Sequence, residues 1–97
     1  MPACNVVKFK VKPGQEAAFL DAHRNGKAKW PGLERGVLIK TGEREFCLIG
    51  TWSSAEALAA ARPAMIATLD SFRSALDDQG GGRGITDAVS GAVVLEL

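Results

Sequence analysis

The segment that most constrains the fold is FCLIGTW, residues 46–52, because it is apolar on both faces of a β-strand. Successive side chains of a strand point to opposite faces. Phe46, Leu48 and Trp52 therefore share one face, while Cys47 and Ile49 share the other. Such a strand is typical of the interior of a sheet that is covered on both sides. We expect this strand to be central.

Alternating apolar and polar residues, together with turn signals, place the remaining strands. Strands are predicted at residues 5–11, 33–41, 45–51 and 92–97. In the first strand, Asn5, Val7 and Phe9 share the inward face, and lysines on the other face point to solvent. The second and third strands are joined by the short polar turn TGERE, which predicts an antiparallel hairpin.

Two helical segments are predicted between the strands. The first spans residues 15–29, and the second spans residues 53–78. Ser53 and Glu56 have the spacing of a capping box, which predicts the start of the second segment. Pro63 cannot continue the hydrogen-bond ladder of a helix, so we expect a break at residues 62 and 63.

The order of these elements is strand, helix, two strands, split helix and strand. It predicts a ferredoxin-like α+β sandwich with an antiparallel sheet. A chain of 97 residues is long enough for one such domain, residues 1–97. The glycine-rich segment 79–89 has no phosphate-binding glycine motif and is predicted to be a loop. Residues 80–84 are either a simple connection or a lid over a cavity.

Composition and charge argue against several classes of function. A net charge of +1 at pH 7 gives no electrostatic basis for binding nucleic acid or an anionic membrane. One histidine and two distant cysteines, Cys4 and Cys47, do not have the spacing of metal ligands. The sequence shows neither a signal-peptide pattern nor an apolar run that could span a bilayer. We therefore expect reduced thiols and a cytoplasmic location.

Three stretches resemble one known family. They are KVKPGQEAAFLDA, WPGLERGVLI and GTWSSAEAL, and the resemblance covers most of residues 5–78. In this order they resemble the antibiotic biosynthesis monooxygenase-like family of dimeric α/β barrels. The resemblance implies a homodimer whose sheets pack face to face, with a cavity between helices and sheet in each protomer. Apolar residues on the second sheet face, such as Cys47 and Ile49, also favour a dimer, because a lone protomer would expose them.

The resemblance implies a range of activities. Some members oxidise polycyclic phenols or quinols with O2 and no cofactor, others bind and degrade haem, and many have no known activity. Trp52 matches a tryptophan that the polyketide monooxygenases use at the end of the third strand. Leu48 stands at the position of their asparagine, and Leu58 stands at that of their tyrosine. Their arginine falls near Phe72, with Arg73 beside it.

The haem-degrading members match less well. They use an asparagine on the first strand, but Asn5 lies about two residues before that position. Their tryptophan and histidine positions fall near Ala61 and Ser71. No histidine follows His23, so the second helix has no imidazole to offer haem iron. The sequence therefore argues against haem degradation.

His23 and Trp52 are the candidates for catalysis. The indole N–H of Trp52 can hold a phenolate or quinone oxygen, or Trp52 can simply staple the start of the following helix. His23 lies on the apolar stripe of the first helix, where it can act as a general base. The alternative is a boundary histidine bonded to a backbone carbonyl or to water. The side chain of Asn5 can donate a hydrogen bond to a ligand in the same cavity, or it can bond to backbone groups at the end of the strand.

The resemblance, together with His23 and Trp52, implies a cofactor-independent monooxygenase-like protein that acts on a small aromatic, phenolic or quinol compound. The predicted substrate-binding residues are Asn5, Val7, Phe9, Leu48 and Phe72. No metal or cofactor is expected to take part. The alternative is a non-catalytic dimer that binds a small apolar or aromatic ligand in the same cavity.

Overall fold

The computed structural model describes residues 2–24, 29–79 and 84–97. The strands are β1 (Ala3–Lys10), β2 (Leu33–Gly42), β3 (Glu45–Trp52) and β4 (Thr86–Ala92). The helices are α1 (Glu16–His23) and α2 (Ala55–Phe72), and a 3₁₀ turn, Arg73–Ala75, follows α2. The strands form one antiparallel sheet in the order β2-β3-β1-β4. The α+β ferredoxin-like fold is thus confirmed, with β3 inside the sheet as predicted.

The helices cover the sheet face that carries the largest apolar side chains. Trp52 and Phe19 are fully buried there, and Phe9, Phe46 and Phe72 are almost fully buried. The rings of Phe9 and Phe19 pack edge to face, with their centroids 5.1 Å apart. Aromatic pairs in this geometry stabilise a core beyond the burial of their area.

The opposite sheet face carries apolar groups but no helix among the described residues. Cys47 is buried, Val37 and Ile49 are half-buried, and Ile39 and Val89 are exposed. Alternation along β2 and β3 places Val37, Ile39, Cys47 and Ile49 together on this face.

The predicted break at Pro63 is wrong, because α2 continues through it from Ala55 to Phe72. Proline removes the hydrogen bond to the carbonyl of residue 59 and crowds that carbonyl. Ala59 and Pro63 are both exposed, so water can hydrogen-bond the released carbonyl. The apolar stripe on the other side of the helix holds it together through Leu58, Ala61 and Phe72.

The predicted helix cap is off by one residue. Ser54, and not Ser53, is the N-cap of α2, and its side chain accepts a hydrogen bond from the Ala57 N–H. Position 57, three residues after the cap, is alanine, so the reciprocal half of a capping box is missing.

The last strand was predicted in the wrong place. It spans Thr86–Ala92, so it begins inside the predicted loop and ends at Ala92, where the predicted strand was to begin. Its sequence, TDAVSGA, has little strand propensity, so pairing with β1 from Ala3 to Phe9 decides its conformation. Val93 still donates its N–H to the carbonyl of Pro2, and beyond it Val94, Leu95 and Leu97 are exposed.

The two helical segments also end earlier than predicted. α1 ends at His23, and residues 25–28 of the predicted first helix lie outside the described residues. α2 ends at Phe72, where the chain tightens into the 3₁₀ turn. No helix of the described residues is long and apolar enough to cross a membrane.

Candidate functional site

A cavity of about 240 Å³ lies between the helices and the sheet. Six of the seven predicted site residues line it: Asn5, Val7, Phe9, His23, Leu48 and Phe72. The strand residues reach it because they share the inward faces of β1 and β3, as their alternation predicted. Leu58, Met65 and Leu69 of α2 form the opposite wall. The cavity is thus mostly apolar, with a few polar groups at fixed positions, as is usual for small-molecule sites.

Trp52, the seventh predicted residue, lies next to the lining residues but does not line the cavity. It is fully buried, and its indole N–H donates a hydrogen bond of 2.8 Å to Oδ1 of Asn5. The N–H that was expected to hold a substrate oxygen therefore already has an acceptor.

This hydrogen bond fixes the orientation of the Asn5 amide. An indole nitrogen can only donate, so the oxygen of Asn5 has to face Trp52. The amide nitrogen Nδ2 then lies on the other side, and it makes no hydrogen bond to a described residue. Since Asn5 is buried and lines the cavity, its Nδ2 is a donor without an acceptor among the described residues.

Gly50 makes room for the Asn5–Trp52 pair. It lies opposite Asn5 in the pairing of β1 with β3. A Cβ at this position would overlap Oδ1 of Asn5 and would lie 2.9 Å from Nε1 of Trp52. Any side chain at position 50 would therefore force the two groups apart.

His23 lies at the end of α1, within a cluster of aromatic rings. Its ring centroid is 4.8 Å from those of Phe19 and Phe72, and 5.8 Å from that of Phe9. Its Nδ1 lies 2.9 Å from the carbonyl oxygen of Phe19. A carbonyl only accepts, so Nδ1 carries the proton, and the neutral ring presents an unprotonated Nε2.

Burial lowers the pKa of His23 below its ordinary value of 6.5, mainly because the charged ring would lose its hydration. The hydrogen bond to the Phe19 carbonyl opposes this shift, whereas the positive charge of Lys29 adds to it. The lowered pKa keeps the imidazole neutral near pH 7, which is the form that accepts a proton.

Trp30 is a lining residue that the sequence analysis did not single out, because the proline and glycine that follow it indicate a turn. It is 4 % exposed and stacks on Trp52, with the ring centroids 6.5 Å apart and the planes 24° from parallel. The turn is held tightly against α2: Gly32 has φ +90°, and a Cβ there would lie 2.6 Å from the Cβ of Ala57. Nε1 of Trp30 is buried and has no hydrogen-bond partner in the described part of the chain.

Arg62 is a second lining residue that was missed, because the helix was expected to break there. It is exposed and lines the cavity, and its Nη2 donates to Oγ of Ser90 on β4 at 3.3 Å. Among the described residues that line the cavity, it is the one with a permanent charge.

The candidate lid falls almost wholly on residues 80–83, which lie outside the described residues. Its last residue, Gly84, has φ +73°, a conformation that glycine adopts without strain. In the described ranges, no group of three or more acidic, histidine or cysteine side chains is arranged to hold a metal ion.

Solved structures share this fold at low sequence identity. Rv0793 from Mycobacterium tuberculosis is 19% identical, with a TM-score of 0.75, over 99% of this chain and 98% of that one. A single-substitution variant of SnoaB, a cofactor-independent oxygenase from Streptomyces nogalater, is 16% identical. Its TM-score is 0.74, over 99% of this chain and 96% of that one. A protein from Chloroflexus aurantiacus J-10-fl, described as a candidate antibiotic biosynthesis monooxygenase, is 17% identical, with a TM-score of 0.74, over 100% and 97%.

Comparison with sequences gives the family. No curated protein matches the chain. The family model of antibiotic biosynthesis monooxygenases matches residues 2–64, from β1 through the first half of α2. This range covers most of the chain and includes Asn5, His23, Trp30 and Trp52, whereas the end of α2 and β4, which also line the cavity, lie beyond it. The chain is a member of the antibiotic biosynthesis monooxygenase family.

Proposed function

We propose that the protein is a cofactor-independent monooxygenase that oxidises a small phenolic or quinol compound in the cavity between helices and sheet. The observation that carries this proposal is the state of His23. Its Nδ1–H is held by the Phe19 carbonyl, and its Nε2, at the wall of an apolar cavity, makes no hydrogen bond to a described residue. A neutral imidazole in that position is suited to remove the proton of a phenol.

The cavity has the size and the walls for such a compound. An engineered apolar cavity of about 150 Å³ binds one benzene ring. A volume of about 240 Å³ is large enough for a compound with two fused rings. Val7, Phe9 and Leu48 would contact the faces of the rings, while Nδ2 of Asn5 donates to a ring oxygen. Trp52 would act through Asn5, as a residue that positions the amide.

The chemistry follows from the deprotonated ring. Loss of the phenol proton to His23 leaves an electron-rich anion that gives one electron to O2. The ring radical and superoxide then combine, forming a carbon–oxygen bond to the ring. The resulting peroxide breaks between its two oxygens. One oxygen stays as a ring carbonyl, and the other leaves as water with the ring hydrogen and the phenol proton. Apolar walls protect the radical pair from water.

Oxygen uptake tests the proposal. We expect the purified protein to accelerate O2 consumption with a hydroxynaphthoquinol above the uncatalysed rate, in the presence of a metal chelator. His23→Phe keeps an aromatic ring in the cluster but removes the base, so the rate should fall by about two orders of magnitude. Trp52→Phe frees the Asn5 amide and should also slow the reaction. Equal rates in all three proteins would remove both residues from the mechanism.

The alternative is a dimer that binds a small apolar or aromatic ligand without converting it. Leu48 favours this alternative: it is 8 % exposed at the cavity wall, where the polyketide monooxygenases have an asparagine. The chain also has no tyrosine. Binding of naphthols with no turnover under O2 would support the alternative.

We also propose that the protein is a homodimer formed by the sheet face opposite the helices. Val37, Ile39, Cys47 and Ile49 lie together on that face, and β4 adds the exposed Val89. Ile39→Lys, which places a charge in the middle of this face, should convert the dimer to monomers in sedimentation measurements. A wild-type protein that is monomeric at micromolar concentration would contradict this proposal.

A further inference from the structure

We propose that the indole N–H of Trp30 stabilises the phenolate oxygen that His23 generates when it deprotonates the substrate. This inference rests on the proposed function and assigns a role to a residue outside the predicted site. Two tryptophans stack beside the cavity, but only one has an uncommitted N–H. Trp52 donates to Asn5, whereas Nε1 of Trp30 has no acceptor among the described residues.

An unpaired buried N–H is costly, because folding removes it from water without giving it an acceptor. Trp30 is 4 % exposed and lines the cavity. An oxygen of a bound ring beside Trp30 would therefore relieve this cost. A negatively charged oxygen would relieve it most, since hydrogen bonds to charged groups are the stronger ones.

The rings of His23 and Trp30 are neighbours at the cavity wall. Their rings are nearly perpendicular, at 85°, and their centroids are 6.4 Å apart. A phenol oxygen bound beside both rings would give its proton to Nε2 of His23 and accept a hydrogen bond from Nε1 of Trp30. The O–H bond of the phenol breaks, an N–H bond forms at His23, and the electron pair stays on the oxygen. Donors placed where charge develops are effective in sites that exclude water.

The ionisation of β-naphthol bound to the protein tests this role. It can be followed by absorbance, because naphtholate absorbs at longer wavelengths than tryptophan. In the wild-type protein we expect naphtholate to appear at lower pH than in water. Trp30→Phe should raise the apparent pKa of the bound naphthol by about one unit, a tenfold loss of naphtholate at a given pH. Benzothienylalanine at position 30, which replaces the indole N–H by sulfur in a ring of the same shape, should do the same.

Other charges near the site have to be separated from this effect. Lys29 acts on His23 from the segment after α1, and Arg62 lines the cavity from α2. Arg62→Gln serves as the control for the general effect of a nearby cation. In the double variant, the change that Arg62→Gln causes in the apparent pKa of the bound naphthol should add to the change caused by Trp30→Phe.

The outcomes separate this inference from the proposed function. If the methyl ether of β-naphthol binds all variants equally and naphtholate formation depends on position 30, the inference is supported. An unchanged pKa in both position-30 variants overturns it, even where O2 uptake by the wild-type protein upholds the monooxygenase. Failure of the wild-type protein to bind either naphthalene compound overturns the inference together with the proposed substrate class.

Discussion

Gly50→Ala is the substitution whose effect can be worked out most directly from the structure. Gly50 lies on β3 opposite Asn5, on the sheet face under the helices. The added methyl group would overlap Oδ1 of Asn5, lie 2.9 Å from Nε1 of Trp52 and lie 3.4 Å from Cδ1 of Leu33. The side chains have to separate, which breaks the 2.8 Å hydrogen bond between Asn5 and Trp52.

The expected cost combines lost hydrogen bonding with overpacking. Each buried group left without a partner costs about 1–3 kcal/mol. Crowding in a packed core adds about 1–3 kcal/mol. Replacing glycine by alanine offsets less than about 1 kcal/mol of this cost, because alanine lowers the conformational entropy of the unfolded chain. We therefore expect Gly50→Ala to lower the free energy of unfolding by about 3 kcal/mol, a large part of the ~5–15 kcal/mol that holds a typical domain together.

Urea denaturation at one protein concentration measures this change. The matched control is Gly91→Ala on β4, where a Cβ meets nothing within 4 Å. This control should be neutral or slightly stabilising. In an Asn5→Ala background, Gly50→Ala should cost clearly less than in the wild-type protein, because the oxygen that it overlaps is gone. If Gly50→Ala and Gly91→Ala have the same stability, the Asn5–Trp52 hydrogen bond is not the constraint on position 50.

Three further predictions concern His23, Arg62 and Pro63. The pKa of His23 is lower in the folded than in the unfolded state, so stability should be greatest above pH 6.5 and fall as the pH drops through 6.5 toward the folded value. In urea titrations at several pH values, the free energy of unfolding of His23→Phe should depend less on pH. The same pH dependence in the variant and the wild-type protein would refute this prediction. Arg62→Gln should weaken binding of naphthoate by about threefold to fivefold but leave naphthalene binding unchanged, because an exposed ion pair is worth less than about 1 kcal/mol. Equal losses for both compounds would argue against a charge effect. Pro63→Ala should raise the free energy of unfolding by about 2 kcal/mol, since α2 already continues through this position. A destabilised variant would show that the proline is required there.

Local alternation predicted the strands that position the site. In β1 the period of two is clear, so Asn5, Val7 and Phe9 were assigned to the inward face, where the structure has them. β3 is apolar on both faces, and Leu48 was grouped with Trp52 from the alternation of side chains alone. The position of His23 on the apolar stripe of α1 was also readable, because helical spacing places it with Phe19. These properties depend on neighbours in sequence.

The missed features depend on distant contacts. The bond between Trp52 and Asn5 joins residues 47 positions apart, and nothing near either residue indicates it. β4 forms because β1 offers an edge to pair with, not because TDAVSGA favours a strand. Trp30 was overlooked for a different reason: Pro31 and Gly32 explain a turn so well that the indole before them was not considered. A tryptophan in a turn next to a predicted cavity is a signal that could have identified it.

Isotopic labelling with O2 distinguishes a monooxygenase that uses His23 as its base from a protein that only binds its ligand. The protein is incubated with a hydroxynaphthoquinol under heavy-isotope O2, and the product is analysed by mass spectrometry for wild type and His23→Phe. We expect one labelled oxygen atom in each product molecule, formed much faster by the wild-type protein than by the variant. Product without label, or equal rates of labelling in the two proteins, would contradict a monooxygenase that uses His23 as its base.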